Sequence, residues 1–182
     1  MKIMAVADLH GSGYFAKLMY EAFEKENPDR VIVLGDMIYQ GVRNPLTREF
    51  SGMSCVDYLN KMADKVIAVR GNCDADVHQE FVNFPMMADY ALVCDGGRAI
   101  FATHGHIYNE HVMPPIGPGD VLLQGHTHVP CWNMVGSRYV FNPGSLGSPR
   151  NGSKEGYMMI EDGRVFVWKT LDGTEYHREV LE

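Results

Sequence analysis

Three times along this chain, a short run of β-branched and aliphatic residues ends in a glycine and then in a side chain of the metal-ligand type. Val31-Ile32-Val33-Leu34-Gly35 leads to Asp36, Val66-Ile67-Ala68-Val69-Arg70-Gly71 to Asn72, and Val121-Leu122-Leu123-Gln124-Gly125 to His126. Apolar runs this short, closed by a breaker, read as buried strands. In open α/β sheets, polar groups collect just beyond the carboxyl ends of the strands, where loops meet and a ligand can reach them. The three strand tips therefore predict the position of the functional site.

The rest of the chain fits around them. Residues 2–7 form another apolar strand, which runs into Asp8-Leu9-His10. If the backbone stays extended there, the two polar side chains at i and i+2 point the same way. Phe15, Leu18, Met19, Ala22 and Phe23 recur at helical spacing up to Asn27-Pro28. Residues 37–52 are polar and irregular, a long loop of the kind that tends to be functional, and they could carry Tyr39, Arg43 and Asn44 over the site. Ser54-x-x-Asp57 has the form of a capping box opening a second helix. Residues 76–89 suggest a short helix or an edge segment. Tyr90–Cys94 and Arg98–Thr103 make a hairpin ending in His104-Gly105-His106.

Residues 107–119 hold three prolines and two glycines and read as a surface loop. Its apolar members, Ile107, Tyr108, Val112, Met113 and Ile116, would pack either on a second copy of the chain, giving a homo-oligomer, or on the chain itself as a lid. The Val121 strand ends in Gly125-His126-Thr127-His128. A strand over 138–141 enters Asn142-Pro143-Gly144-Ser145, and 157–160 and 165–169 close as a hairpin. His78, His111 and His177 lie outside the strand-end clusters and read as ordinary histidines. A chain that opens strand-helix-strand-helix and finishes in hairpins predicts an α/β fold with a two-layered β core and helices on its outer faces. One domain over residues 1–182 is expected.

Composition narrows the function. No apolar run approaches the roughly 18 residues of a membrane helix, and the apolar N-terminus turns polar at Asp8, too early for a secretory signal. This points to the cytoplasm. The four cysteines form no C-x-x-C pair, which argues against a zinc knuckle or a thioredoxin-like redox site. The net charge of −7 argues against nucleic acid as a partner, since such affinity comes largely from Lys and Arg on phosphates. A small substrate fits better.

Collected together, the strand-end groups are Asp8, His10, Asp36, Asn72, His104, His126 and His128, an oxygen and nitrogen set with no thiolate. Such mixed sets suit manganese, iron or zinc in an open site better than a closed structural zinc site. Seven donors exceed what one ion takes from protein, so two divalent ions sharing a carboxylate are expected. Paired ions of this kind sit about 3.5–4 Å apart and hold a hydroxide that is nucleophilic near neutral pH.

Asp8-x-His10, Gly35-Asp36, Gly71-Asn72, His104-Gly105-His106 and Gly125-His126-x-His128, in this order, resemble the calcineurin-like metallophosphoesterase superfamily. Gly71-Asn72-Cys73-Asp74, the Gly-His-Thr-His block and Asn142-Pro143-Gly144-Ser145 are similar to its small bacterial and archaeal branch, the YfcE-type phosphodiesterases. The resemblance spans roughly residues 1–150. It implies a two-sheet β-sandwich flanked by helices, with Asp8, His10, Asp36 and His128 on one metal, and Asp36, Asn72, His104 and His126 on the other. Manganese is the expected ion, with iron, zinc and nickel as alternatives. The implied reaction is in-line attack of a metal-bridging hydroxide on a small phosphodiester, with Asn72 also orienting the substrate. Alternatives are a phosphomonoesterase and a non-catalytic scaffold resembling a retromer subunit.

One position departs from the family pattern. Many members carry histidine after the Asn as a leaving-group acid, whereas here it is Cys73. A thiol is the poorer acid at neutral pH. His106 either takes over that role or only supports the metal ligands. Arg43 is the substrate-binding candidate, because a guanidinium grips phosphate oxygens bidentately.

Overall fold

The computed structural model describes all residues from Met1 to Glu182. Eleven strands form two sheets. β1 (Lys2–Val6), β2 (Arg30–Val33) and β3 (Val66–Ala68) run parallel. β9 (Gly156–Glu161) pairs antiparallel with β1, and β10 (Val165–Thr170) and β11 (Glu175–Val180) extend that edge to six strands in the order β11-β10-β9-β1-β2-β3. The second sheet joins β4 (Tyr90–Asp95), β5 (Arg98–Thr103), β6 (Val121–Leu123), β7 (Cys131–Val135) and β8 (Arg138–Asn142) in the order β4-β5-β6-β8-β7.

Side-chain alternation along β1 decides the layering, because successive residues face opposite sides of a strand. Ile3, Ala5 and Ala7 enter an inner layer with Ile100, Val121, Leu123, Phe141, Phe166 and Trp168, which holds the two sheets together. Met4 and Val6 face the other way and pack under α1 (Gly13–Glu26) and α2 (Gly52–Asn60), through Met19, Phe23, Val56 and Leu59. Each large side chain buried in these layers stabilises by about 1.5–3 kcal/mol relative to exposure. All four cysteines are free, so no covalent link is involved.

The two-sheet sandwich matches the sequence expectation, with one refinement. Both helices lie on the six-stranded sheet. The outer face of the other sheet is covered at its central strands by the loop after β5, whose Tyr108, Met113 and Ile116 pack on Phe101, Leu122 and Val140. That loop is used within the chain. The capping assignment for α2 is corrected as well: Ser51 is the N-cap, its hydroxyl accepting from the Ser54 N–H. The sequence pattern misses β7 and β11. Both are edge strands whose residues are mostly exposed or half-buried; β11 is largely polar, and β7, though mostly apolar, is only five residues long and interrupted by Asn133. No helix is long and apolar enough to cross a membrane.

Candidate metal and substrate site

The seven strand-end donors converge at one end of the sandwich, between the sheets. Asp8 and His10 follow β1, Asp36 follows β2 and Asn72 follows β3. From the opposite sheet, His104 follows β5, and His126 and His128 follow β6. The backbone route differs from the extended one expected from the i, i+2 spacing. Asp8, His10, Asp36, His126 and His128 all have positive φ, between 51° and 66°. The chain turns left-handed at each of these ligands, and Leu9 between two of them is fully buried. For non-glycine residues this conformation costs of order 1–2 kcal/mol, least for Asp, Asn and His. Backbone strain of this kind gathers at functional sites.

The glycines before the ligands are explained by crowding. A Cβ on Gly71 would overlap the Asp36 carboxylate, and one on Gly125 would stand 2.8 Å from the Ala7 Cβ and 3.0 Å from Asp8 Oδ2. Only glycine lets the loops approach this closely.

The donors fall into two overlapping groups. In the first, His10 Nε2 and His128 Nε2 face one another at 3.0 Å, and Asp8 Oδ1 lies 3.7 and 3.5 Å from them. In the second, His104 Nε2 lies 3.0 Å from Asn72 Oδ1 and 3.2 Å from His126 Nδ1. Asp36 Oδ2 joins the groups, 3.3 Å from His104 Nε2 and 3.9 Å from His10 Nε2.

Five of the seven donors are aimed from behind. His10, His104 and His128 direct Nδ1 at the carbonyls of Tyr39 (3.1 Å), Leu34 (2.6 Å) and Ser148 (2.6 Å). This places the ring proton on Nδ1 and frees Nε2 as a lone pair, the usual orientation of metal-binding imidazoles. Asp8 Oδ2 accepts from the His126 N–H, and Asp36 Oδ1 from the Cys73 N–H. Asp74 Oδ2 accepts from the N–H groups of Asp36 and Gly71. Asn142 donates to the Gly125 carbonyl and the Thr127 hydroxyl, and the Ser145 hydroxyl donates to the Asp8 carbonyl.

The donor chemistry fits metal cations. Two imidazole lone pairs pointing at each other across 3.0 Å repel unless something positive lies between them, and Asp8 Oδ1 is buried without a hydrogen-bond partner. Without an ion, protons serve instead. Burial pushes the Asp8 carboxyl up to about 7, against the pull of the His104 charge. Burial would lower His104, but its hydrogen bond to Asp36 and the charges of Asp8 and Asp36 carry the ring up to about 9. Burial would raise Asp36 in turn, yet the same hydrogen bond and the His104 charge hold it below the usual carboxylate range. His126 and His128 are pushed down to about 4, chiefly by burial.

A cavity of about 500 Å³ opens over this cluster, lined by Asp36, Asn72, His126 and His128 together with Tyr39, Arg43, Asn44, Cys73 and Arg150. The structure thus brings all seven candidate ligands together and sets Arg43 and Cys73 in the cavity wall. His106 is not part of that wall. Its ring stands edge-on to His104 at 5.3 Å between centroids, on a bent rather than an extended segment. Sequence reasoning missed Arg150, which follows the Asn142–Ser145 motif in a polar turn with no local signal. It also gave no role to Asp74, although that residue closes the Gly-Asn-Cys-Asp motif.

Oxygen and imidazole donors gathered at the strand ends of a two-sheet sandwich, beneath an open cavity, are the equipment of a hydrolytic metal centre. Residues 1–162 match the calcineurin-like phosphoesterase superfamily domain, and the chain belongs to that superfamily. Over 167 residues it is 36% identical to phosphodiesterase YfcE of Escherichia coli, covering 92% of this chain and 91% of that one. It is 24% identical to a probable metallophosphoesterase, YsnB, of Bacillus subtilis, over 88% and 83% of the two chains. The solved structure of the Escherichia coli YfcE phosphoesterase superposes with a TM-score of 0.95 at 34% identity over 100% of both chains. A Vps29 mutant from Entamoeba histolytica, at 21% identity, TM-score 0.68 and 100% coverage of both chains, shares the fold. The chain is therefore a metallophosphoesterase homologous to a named phosphodiesterase, and divalent metal ions are its implied cofactors.

Proposed function

We propose that this chain is a cytoplasmic enzyme that hydrolyses a small phosphodiester at a dinuclear centre, with manganese as the preferred metal. Asp8, His10, Asp36 and His128 would hold one ion, and Asp36, Asn72, His104 and His126 the other. The observation that carries this assignment is the position of Asp36 Oδ2, between His104 Nε2 and His10 Nε2. When bound, such a pair supplies Lewis acidity toward the phosphoryl oxygens and a water activated near neutral pH.

The protein's own groups then orient the ester. The Asn72 amide, fixed between His104 and the Cys73 sulfur, reaches the cavity and directs a phosphoryl oxygen. Arg43 binds the substrate from the 37–52 loop. Cys73 stays protonated, because burial and the neighbouring Asp36 push its thiol up to about 12. It is a weak acid, so the site suits leaving groups that depart with little proton assistance. His106 packs edge-on behind His104 and lies outside the cavity wall, which suits a supporting residue rather than a proton donor. The complete donor set argues against the scaffold alternative.

The test is hydrolysis of bis(p-nitrophenyl) phosphate and p-nitrophenyl phosphate by protein loaded with Mn²⁺, alongside metal analysis. Faster turnover of the diester, abolished by chelator, is expected. A faster monoester would make the chain a phosphomonoesterase. No hydrolysis of either, with thermal stability indifferent to chelator, would replace catalysis by the scaffold role.

A further inference from the structure

Arg43 and Arg150 come from different loops, 37–52 and the β8–β9 connection, and line the same cavity above the donor cluster. Neither pairs with a carboxylate, in contrast to Arg70 with Asp89 and Arg178 with Glu175. Arg98 and Arg138 also spend their guanidinium protons on backbone carbonyls. Arg150 is positioned instead. Its Nη2 donates to Asn44 Oδ1 at 2.9 Å, the Asn44 amide is tied to the Gln40 carbonyl at 2.7 Å, and the Arg150 N–H donates to the His128 carbonyl. A guanidinium held by one neutral contact keeps its remaining donors for a ligand.

A phosphodiester carries a single negative charge, and metal ions held by the donor cluster would already offset it. Two further cations without protein counterions, in a chain of net charge −7, exceed what that one group needs. We infer that the substrate bears a second anionic group, a phosphate, phosphonate or carboxylate on the alcohol that is retained after cleavage, and that Arg43 and Arg150 bind it together. This rests on the phosphodiesterase reading and specifies which part of the substrate the two arginines recognise. Arg150 is then a specificity-determining residue, and Asn44 the residue that positions it.

The experiment compares ethyl p-nitrophenyl phosphate with 2-phosphonoethyl p-nitrophenyl phosphate, using the Mn²⁺-loaded protein. In both, the oxygen of water bonds to phosphorus as the bond to nitrophenolate breaks and the proton of water passes to solvent, so the reacting bond is the same. The phosphonate ester should be favoured in kcat/KM by about 10- to 100-fold, mostly through KM, as expected for charge-assisted bonds to a bidentate partner. Arg43→Ala and Arg150→Ala should each collapse that ratio toward one. Arg178→Ala, on the remote edge strand β11, should leave it intact. Equal kcat/KM for the two esters, or a preference that survives both cavity substitutions, overturns the inference while leaving the phosphodiesterase reading standing. Hydrolysis of neither ester overturns both.

Discussion

The two sheets meet at the site with unequal gifts. The six-stranded sheet delivers the oxygen donors, Asp8, Asp36 and Asn72, with a single imidazole, His10. The five-stranded sheet delivers imidazoles only, His104, His126 and His128. Each sheet also orients the donors of the other. The Leu34 carbonyl at the tip of β2 fixes His104, and the His126 N–H fixes Asp8. Carboxylates are steered by N–H groups and imidazoles by carbonyls, the complementary partners each donor needs to present a lone pair. The site is therefore a property of sheet packing, and neither sheet alone holds a complete set.

Asp36 is the sharpest place to break this arrangement, because its Oδ2 lies beside an imidazole of each donor group, His10 and His104. Asp36→Asn should remove both ions from the isolated protein together and lower kcat/KM by at least about 100-fold, more than the 10- to 100-fold typical of residues that only orient a ligand. Metal analysis checks it. Retention of two ions at full rate would end the bridging assignment.

Next in size are the two residues that tie down the loops, one on each side. Asp74→Ala leaves the Asp36 and Gly71 N–H groups without their acceptor, and Asn142→Ala releases the Gly125–Thr127 turn. Each should weaken metal binding by about 10- to 100-fold. The Asp74 variant should weaken both ions through Asp36. The Asn142 variant should spread its loss over His126 and His128, which belong to different groups. Calorimetric titration with Mn²⁺ checks both, and unchanged affinity for two ions in either variant would remove that residue as a brace.

Much of the oxygen-donor side was legible in the sequence, and less of the bracing. The repeated apolar run with Gly and a ligand reports the crowding around Gly71 and Gly125, so the tips and their donors could be placed from pattern alone. The conformation at the donors could not. The i, i+2 spacing suggested extended backbone, whereas the left-handed turns at Asp8, His10, His126 and His128 follow from tertiary contacts, such as the His126 N–H reaching Asp8, that no local pattern encodes. Arg150 was invisible for a related reason. Its place in the cavity depends on a hydrogen bond to Asn44, 106 residues away in the chain. The β11 edge was missed because a half-exposed strand keeps too few apolar residues to show a period, and β7 because Asn133 interrupts a run of only five residues.

The pH dependence separates the donors by the sign of their response, and it divides the imidazoles of the five-stranded sheet among themselves. In metal-free protein, Asp8 and His104 hold protons in the folded state that the unfolded chain has released, between pH 3.8 and about 7 and between pH 6.5 and about 9 respectively. Both make stability fall as pH rises through those windows. His126 and His128, pushed down to about 4, are neutral in the folded state where the unfolded chain is charged, so they make stability rise between pH 4 and 6.5. The melting temperature of the chelated protein should therefore peak near pH 6.5 and decline toward pH 9. Mn²⁺ affinity should rise over pH 7–9 by up to about tenfold per unit, as His104 gives up its second proton. A melting temperature that climbs steadily to pH 9 without metal would contradict this ordering.

The smallest expected effect concerns adding an imidazole to the side that has one. Cys73→His places a better acid beside Asn72, yet the position is tight: a Cβ on Gly41 would come within 2.5 Å of the Cys73 sulfur, so a ring there has to displace the 40–44 segment that carries Arg43 and Asn44. Two opposing changes follow, proton assistance to the leaving group and a disturbed substrate loop. The first matters only where the departing alkoxide is poor. The second acts on every substrate alike. Cys73→His should raise kcat on an alkyl phosphodiester by a few-fold, to about tenfold, relative to its effect on a nitrophenyl ester, while KM rises for both. Parallel changes in kcat on the two substrates would take leaving-group protonation out of the account and leave Cys73 as a residue chosen for its fit beneath Gly41.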